Sequence, residues 1–309
     1  MTNTAHTIDT ALYDAVTDAL RAEAKKVLES GTAAAVIGWQ AGRRRGSAVP
    51  AIVTEPADAE KLIFSPSCVN NLALYLTKAK KEVREKGKLA VVAKGCDMKA
   101  LAGLMGENQL KRDDIYIIGV ACAGVYGPAV RGNAPLDDGT LARKCRECAA
   151  GLPEGADVSL GTVPRRPDFT PHEAAELARL EAMTPAERWA FWKEHFSRCI
   201  RCYACRQVCP FCYCEQCLCD RNRPQAVETT PRPAGNMAWH MVRAMHLAGR
   251  CAGCAECERA CPMDIPLNLL NRKMAKELKE LYGHEAGFQA KEKGPLAEYR
   301  EDDDQSFIK

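Results

Sequence analysis

The chain has 309 residues, enough for two or three domains, and its 47% hydrophobic and 27% charged residues are typical of a globular protein. This composition excludes wholesale disorder. A net charge of +3 is too small by itself to indicate a nucleic-acid-binding protein. Cysteine is the outlier, because the chain has 17 cysteines and twelve of them lie between Cys199 and Cys261.

The first residues show neither the basic start nor the apolar stretch of a secretory signal, and no apolar run approaches the roughly 18 residues of a membrane span. The sequence therefore predicts a cytoplasmic chain without a membrane span. Because thiols stay reduced in that compartment, this many cysteines indicate metal ligands rather than disulfides.

The first half of the chain has the alternating pattern of an α/β domain. An amphipathic helix is predicted up to Gly31, and further helices are predicted over 69–86 and 98–110. Short apolar runs predict strands at 33–38, 51–54, 61–64, 88–94 and 115–121. The last two strands flank a helix and form a βαβ unit. We expect a parallel or mixed α/β domain over residues 1–162.

The second half is predicted to be helical. A linker over residues 163–198 begins with VPRRPDFT, and Thr170 and Thr184 each precede a proline at the start of a short helix. In the C-terminal domain, residues 199–309, helices are predicted at 235–249 and 267–282, before an acidic, solvated tail.

Four cysteines spaced by two, two and three residues, with a proline directly after the last, occur twice in the C-terminal domain. The two runs are Cys199, Cys202, Cys205 and Cys209, and Cys251, Cys254, Cys257 and Cys261. In this arrangement three cysteines hold one [4Fe–4S] cluster and the fourth ligates the other cluster. The predicted ligand sets are Cys199, Cys202, Cys205 and Cys261, and Cys251, Cys254, Cys257 and Cys209. Zinc in paired CxxC motifs is the alternative, and two intact runs disfavour it.

The long segment between the two runs, residues 210–250, resembles a helical insertion of the kind found in the α-helical ferredoxin modules of fumarate reductase and heterodisulfide reductase subunits. That resemblance implies a ferredoxin-like dicluster domain. Four more cysteines begin this segment, in CPFCYCEQCLCDRNRP. They are Cys212, Cys214, Cys217 and Cys219. They either hold a fourth cluster or pack as small buried residues against the first one, with Phe211 and Tyr213 shielding it.

Four cysteines of the α/β domain form a candidate third [4Fe–4S] site. They are Cys96, Cys122, Cys145 and Cys148. Cys96 and Cys122 follow neighbouring predicted strands, and ligands in open α/β sheets gather at the carboxyl ends of the strands. Cys68 is a further candidate ligand of this site, because it also follows a predicted strand. The alternative is a set of buried or redox-active thiols.

The stretches VVAKGCDMKALAGLMGENQLKRDDIYIIGVACAG and KCRECAAGLPEGADVSLGT resemble the beta-subunit family of deazaflavin-reducing hydrogenases and formate dehydrogenases, over about residues 88–162. The resemblance implies FAD and a cluster on the third set of cysteines. No GxGxxG fingerprint is present. Lys94 and Gly95, at a predicted helix N-terminus, are a candidate phosphate site for FAD, as is the glycine-spaced loop AGVYGPAVRGN.

The sequence therefore predicts an electron-transferring subunit of a cytoplasmic oxidoreductase complex, with no catalytic residue assigned. The expected partners are subunits of the heterodisulfide reductase, hydrogenase or formate dehydrogenase type, and the donor is a nicotinamide, a deazaflavin, or a ferredoxin or partner cluster. One alternative is a flavin-free cluster relay. Another is an iron–sulfur redox sensor that binds nucleic acid through Arg43, Arg44 and Arg45, which otherwise form a solvated loop.

Overall fold

The computed structural model describes residues 7–77, 85–130, 132, 134–148, 150–151, 153–163, 173–287, 294–295, 301 and 306. Within these residues, no helix is both long enough and apolar enough to cross a lipid bilayer.

A five-stranded mixed sheet organises the first half, in the order β2-β1-β3-β4-β5. The strands are β1 (Ala35–Ala41), β2 (Ala48–Val53), β3 (Leu89–Ala93), β4 (Ile115–Val120) and β5 (Val158–Leu160). β1 and β2 form an antiparallel hairpin, whereas β1, β3, β4 and β5 run parallel. Every residue of β3 is buried, as expected of a strand covered on both faces. The predicted mixed α/β character is confirmed.

Two helices of the α/β part have different burial patterns. Helix α1 (Ala11–Glu29) buries one stripe of side chains, at Tyr13, Val16, Leu20, Ala24 and Val27, as an amphipathic surface helix does. Helix α2 (Gly95–Gly106) begins directly after β3. It therefore starts three residues earlier than predicted, and its first turn contains Cys96. Arg43, Arg44 and Arg45 are exposed at the turn of the β1–β2 hairpin, as a solvated loop would be.

One predicted element is wrong and another is corrected in part. The strand at 61–64 is replaced by a 3₁₀ helix, Pro56–Lys61, followed by a single bridge from Leu62 to Gln40. The first part of the helix predicted over 69–86 is a 3₁₀ helix, Leu72–Leu76, and its residues 78–84 lie outside the described part. The Asp97 carboxylate accepts the N–H of Leu72, which fixes a short turn at that point. β5 was not predicted.

The second half is helical among its described residues. Its longer helices are α4 (Glu173–Ala182), α5 (Pro185–Ser197), α7 (Pro233–His246) and α9 (Leu267–Tyr282), and its one-turn helices are α6 (Ala204–Gln207) and α8 (Glu256–Arg259). The one-turn helix α3 (Arg143–Arg146) belongs to the α/β part. The hydroxyl of Thr184 accepts the N–H of Glu187 in a capping box, as the sequence predicted. The predicted cap at Thr170 lies outside the described residues.

Two apolar cores follow this arrangement. The smaller one gathers Phe196, Trp239, Ile265 and Leu267 between α5, α7 and α9. The larger core fills the α/β part, but it also includes Phe211, Leu247 and Ala252 from the helical half. The boundaries proposed at residues 162 and 198 stay predictions, since residues 164–172 are not described. The two halves nonetheless pack directly against each other.

Candidate metal centre

The two repeated cysteine runs fold into the same loop. In the first run Arg201 and Tyr203 have positive φ angles of 56° and 58°, and the matching residues of the second run, Gly253 and Ala255, have φ angles of 65° and 53°. One-turn helices, α6 and α8, follow at equivalent positions. Non-glycine residues rarely adopt this conformation, and such strain tends to mark functional sites. The loop geometry therefore repeats along with the cysteine spacing.

A backbone amide points at the first cysteine of each loop. The N–H of Arg201 donates to the Cys199 sulfur at 3.4 Å, and a backbone hydrogen bond at Gly253 likewise favours the thiolate of Cys251. Burial raises the pKa of both thiols, and these amides oppose it. Because the thiolate is the form that binds metal, both loops are arranged to favour ligation.

The first predicted ligand set lines one cavity of the helical half. Cys199, Cys202 and Cys205 contribute to its wall together with Cys261, which comes from the second run. His240 lines the same cavity and is 2% exposed. Burial, and then the charges of Arg243 and Arg201, lower the pKa of His240 to about 3, so its ring is neutral. Neither ring nitrogen has a hydrogen-bond partner among the described residues. A buried unpaired N–H is costly, and a cluster sulfide would supply an acceptor.

The second predicted set gathers around buried polar groups. Burial is the main cause that raises the pKa of Cys251, Cys254 and Cys257, and the charge of Cys209 contributes at each of the three. The fourth cysteine of the first run therefore lies beside the first three of the second run. The side-chain amide of Asn271 faces Cys257, with its Nδ2 3.7 Å from the sulfur. Both crossed sets that the spacing predicts are close together in the fold.

Arg243 lies between these two sets. It is buried, it donates from its Nη2 to the Cys205 carbonyl at 3.2 Å, and the charges of Cys257, Cys209, Cys212 and Cys205 raise its pKa despite its burial. A buried cation needs nearby negative charge. Thiolate-ligated clusters would provide it.

The third predicted set lines a cavity of about 290 Å³ between the two halves of the chain. Cys96 comes from the first turn of α2, Cys122 follows β4, and Cys145 and Cys148 come from α3 and the residues after it. Cys251, from the second set, lines the same cavity. Lys94, Lys99 and Lys144 also line it. The cavity is therefore rich in thiols and in cations.

Lys144 links the third set to the second. Its ammonium donates to the carbonyl of Cys254 at 2.7 Å and lies 3.9 Å from the Glu256 carboxylate. Although burial alone would lower the pKa of Lys144, the charges of Cys96, Glu256, Cys145 and Cys254 raise it above the ordinary value. A positive charge is thus held between two groups of cysteines. Sequence reasoning missed this residue, because nothing local connects it with Cys254.

The Lys94 side chain makes contacts inside the protein instead of the predicted contact with a phosphate. Its side chain is 1% exposed, its ammonium lies 3.0 Å from the Asp97 carboxylate, and it donates to the Asn70 carbonyl at 2.8 Å. It also lies 3.9 Å from the centre of the Trp39 ring. These contacts occupy the ammonium within the protein, so the Lys94 side chain is not free to bind a phosphate.

Cys68 lies apart from the third set. Its thiol is fully buried, does not line the 290 Å³ cavity and accepts the Ser65 N–H at 3.3 Å. Burial raises its pKa to about 11. This environment is that of a structural buried thiol.

Two further cavities contain residues that the sequence singled out. Cys212, Cys214, Cys217 and Cys219 line a cavity of about 280 Å³. The glycine-spaced loop after Cys122 lines a larger cavity of about 650 Å³, from Val125 to Val130. Arg143, Arg146 and Arg259 lie on the wall of the larger cavity. The loop was a sequence candidate, whereas these arginines were not.

The first and third cysteine sets each line one cavity. In the described part of the chain, no group of three or more His, Cys, Asp or Glu residues is arranged to hold a single metal ion. Metal analysis therefore has to distinguish iron–sulfur clusters from zinc.

Gly95→Ala is expected to disrupt the third set selectively. A Cβ at Gly95 would lie 1.7 Å from the Ala150 carbonyl oxygen, a backbone atom that cannot rotate away. The loop carrying Cys148 must then leave the helix turn carrying Cys96. We expect a loss of about four irons per chain, the content of one cubane, measured by metal analysis after anaerobic purification. Gly127→Ala is the matched control, since its Cβ would meet only ordinary contacts at 3.6 Å. Full iron in the Gly95 variant would contradict this assignment.

Comparison with known proteins gives two informative relatives, and no family model matches the chain. The chain is 24% identical over 281 aligned positions to the F420-dependent formate dehydrogenase subunit beta of Methanocaldococcus jannaschii, covering 65% of this chain and 74% of the relative. It is 23% identical over 348 aligned positions to the F420-dependent formate dehydrogenase 1 subunit beta of Methanococcus maripaludis, covering 85% and 88%. The resemblance recognised in the sequence is confirmed.

Proposed function

We propose that this chain, which is similar to beta subunits of F420-dependent formate dehydrogenases, is an electron-transfer subunit of an oxidoreductase complex with three [4Fe–4S] clusters. The observation that carries the proposal is the contiguity of the three cysteine sets. Cys251 of the second set lines the cavity of the third, and Arg243 lies among cysteines of the first and second sets. A continuous series of redox centres is what electron transfer through a protein requires.

The chain's own residues fit such clusters by charge and by hydrogen bonding. When bound, the clusters would accept and release single electrons. Lys144 and Arg243 place buried positive charge beside them, His240 offers an N–H in the first cavity, and Asn271 faces the Cys257 sulfur. These groups would hold the clusters and set their reduction potentials, because charge, hydrogen bonds to sulfur and burial are the terms by which proteins set them. In this proposal the helical half is a ferredoxin-like dicluster domain.

We place the proposed FAD in the 650 Å³ cavity rather than at Lys94. Ligand pockets typically measure about 300–1,000 Å³, and this cavity shares Val125 and Lys144 with the cavity of the third set. Arg146 is a candidate phosphate partner, because its buried Nε has no hydrogen-bond partner among the described residues. A bound flavin would take up a pair of electrons and release them singly.

The proposed partners are based on the complexes to which the two relatives are named as belonging. Both relatives are beta subunits of formate dehydrogenases that depend on F420. We propose that this chain likewise works in the cytoplasm with other subunits, of the formate dehydrogenase, hydrogenase or heterodisulfide reductase type. Its electron donor would be a deazaflavin, a nicotinamide, or a ferredoxin or partner cluster.

Analysis of the anaerobically purified chain for iron, sulfide, zinc and flavin, with electron paramagnetic resonance of the reduced state, tests the proposal. We expect at least about twelve irons per chain, four for each cubane, and one FAD. Stoichiometric zinc with little iron would overturn the whole assignment. Iron without flavin would favour the alternative of a flavin-free relay subunit.

A further inference from the structure

We propose that Cys212, Cys214, Cys217 and Cys219 hold a fourth iron–sulfur cluster at the surface of the helical half, beside the second ligand set. This proposal adds a site to the proposed electron-transfer function, and it depends neither on the flavin nor on the third set. It commits to a cluster rather than to packing of small buried residues, the other hypothesis for these thiols.

The segment that carries the four cysteines folds around a cavity. The four cysteines lie within eight residues and line one cavity of about 280 Å³. Cys219 is buried in a 3₁₀ helix, Leu218–Asp220, and Cys214 is exposed. Cysteines that only fill a core leave no such space between them. The volume nearly equals the 290 Å³ cavity of the third set.

Two arginines place positive charge on this site. Arg243 and Arg206 line the cavity together with the four cysteines. Arg206 is also paired with Asp220. Arg243 is 6% exposed, it lines the cavity, and its Nε has no hydrogen-bond partner among the described residues. An unpartnered buried donor on the wall of a four-thiol cavity indicates an anionic ligand there.

The walls and the neighbours of the cavity suit a cluster. Phe211, Tyr213 and Trp239 line it and would shield a cluster from water. The backbone N–H of Cys212 donates to the Cys209 carbonyl at 3.1 Å, so the site directly adjoins the second ligand set. The fourth site thereby extends the series of centres towards the surface at Cys214.

The test compares the native chain with a Cys214→Ser, Cys217→Ser double variant. This pair spares Cys212, which contacts Cys209, and the buried Cys219. We expect the variant to lose about four of about sixteen irons, with matching sulfide, and to keep the other clusters. Cys68→Ser is the control, because it changes a buried thiol that lines none of these cavities. Unchanged iron in the double variant overturns the proposal, as does native protein with about twelve irons and one zinc that the variant loses.

Alkylation of the native holoprotein provides a second measurement that does not require the variant to fold. Iodoacetamide is added anaerobically, and the modified cysteines are identified by mass spectrometry. Protection of Cys214, despite its exposure, together with Cys217 supports ligation. Rapid modification of both, with the iron of the other clusters retained, overturns the fourth site and leaves the proposed function standing. Native protein almost without iron would instead overturn the proposed function.

Discussion

Replacing Cys145 and Cys148 together by serine is expected to remove about four irons per chain and leave the other clusters in place. The two thiols lie on the wall of the 290 Å³ cavity with Cys96 and Cys122, and a cubane rarely survives on two protein thiolates. The measurement is iron and sulfide analysis, with loss of one paramagnetic species from the reduced protein. The flavin content reports separately on the neighbouring cavity.

Cys68→Ser is the matched control for this prediction. It also replaces a buried thiol of the α/β part, but one that lies outside the cavity. It should lower stability without lowering iron. If the double variant keeps its full iron content while remaining folded, then Cys145 and Cys148 are structural or redox-active thiols, and the third cluster does not exist.

Lys144→Met is expected to lower the reduction potentials of two clusters at once, those of the third and second sets. Reduction adds negative charge to a cluster, and a buried cation stabilises that charge. The Lys144 ammonium interacts with the charges of Cys96 and Cys145 on one side and of Cys254 on the other. We expect shifts on the order of 60 mV, which for a one-electron couple correspond to tenfold in the equilibrium constant. Redox titration followed by electron paramagnetic resonance measures them.

The Lys144→Met variant should still fold, because the buried Glu256 carboxylate remains paired with a second cationic side chain. Arg259 donates to both carboxylate oxygens of Glu256, at 2.9 and 2.8 Å. Arg143→Met is the control, since it removes a neighbouring cation whose side chain is 59% exposed and is screened by water. A shift confined to one cluster, or shifts equal to those of the control, would contradict the placement of Lys144 between two clusters.

The sequence predicted the two repeated cysteine sets because cluster ligation imposes fixed local spacings. It also identified the strands that precede Cys96 and Cys122, since each is an apolar run with a clear start and end. β5 was missed because Val158–Leu160 is only three residues long, too short for any periodicity. The 3₁₀ helix at Leu72–Leu76, where a longer helix was predicted to begin, was also hidden from the sequence, since the Asp97 carboxylate that fixes the turn at Leu72 is 25 residues away.

The residues around the cysteines were the least predictable part of the site. Lys144 and Cys254 are 110 residues apart, so their contact has no local signature. Lys94 precedes a helix and therefore has the pattern of an anion site, but packing against Trp39 and Asp97 makes it a buried ion pair. Tertiary packing decided the roles of both lysines, and spacing in the sequence carries no information about it.

In the proposed crossed ligation, the clusters would cross-link the chain. Each set takes its fourth cysteine from the other run, so ligation would close residues 210–250, with α7 inside, into a loop anchored at both ends. A cross-link across a loop of this size restricts the unfolded chain by about 4 kcal/mol in the chain-entropy treatment used for disulfides. Trp239 and His240, both on α7 and both buried, would leave the core only after ligand bonds break. Oxidative loss of iron would therefore also weaken the anchoring of that helix.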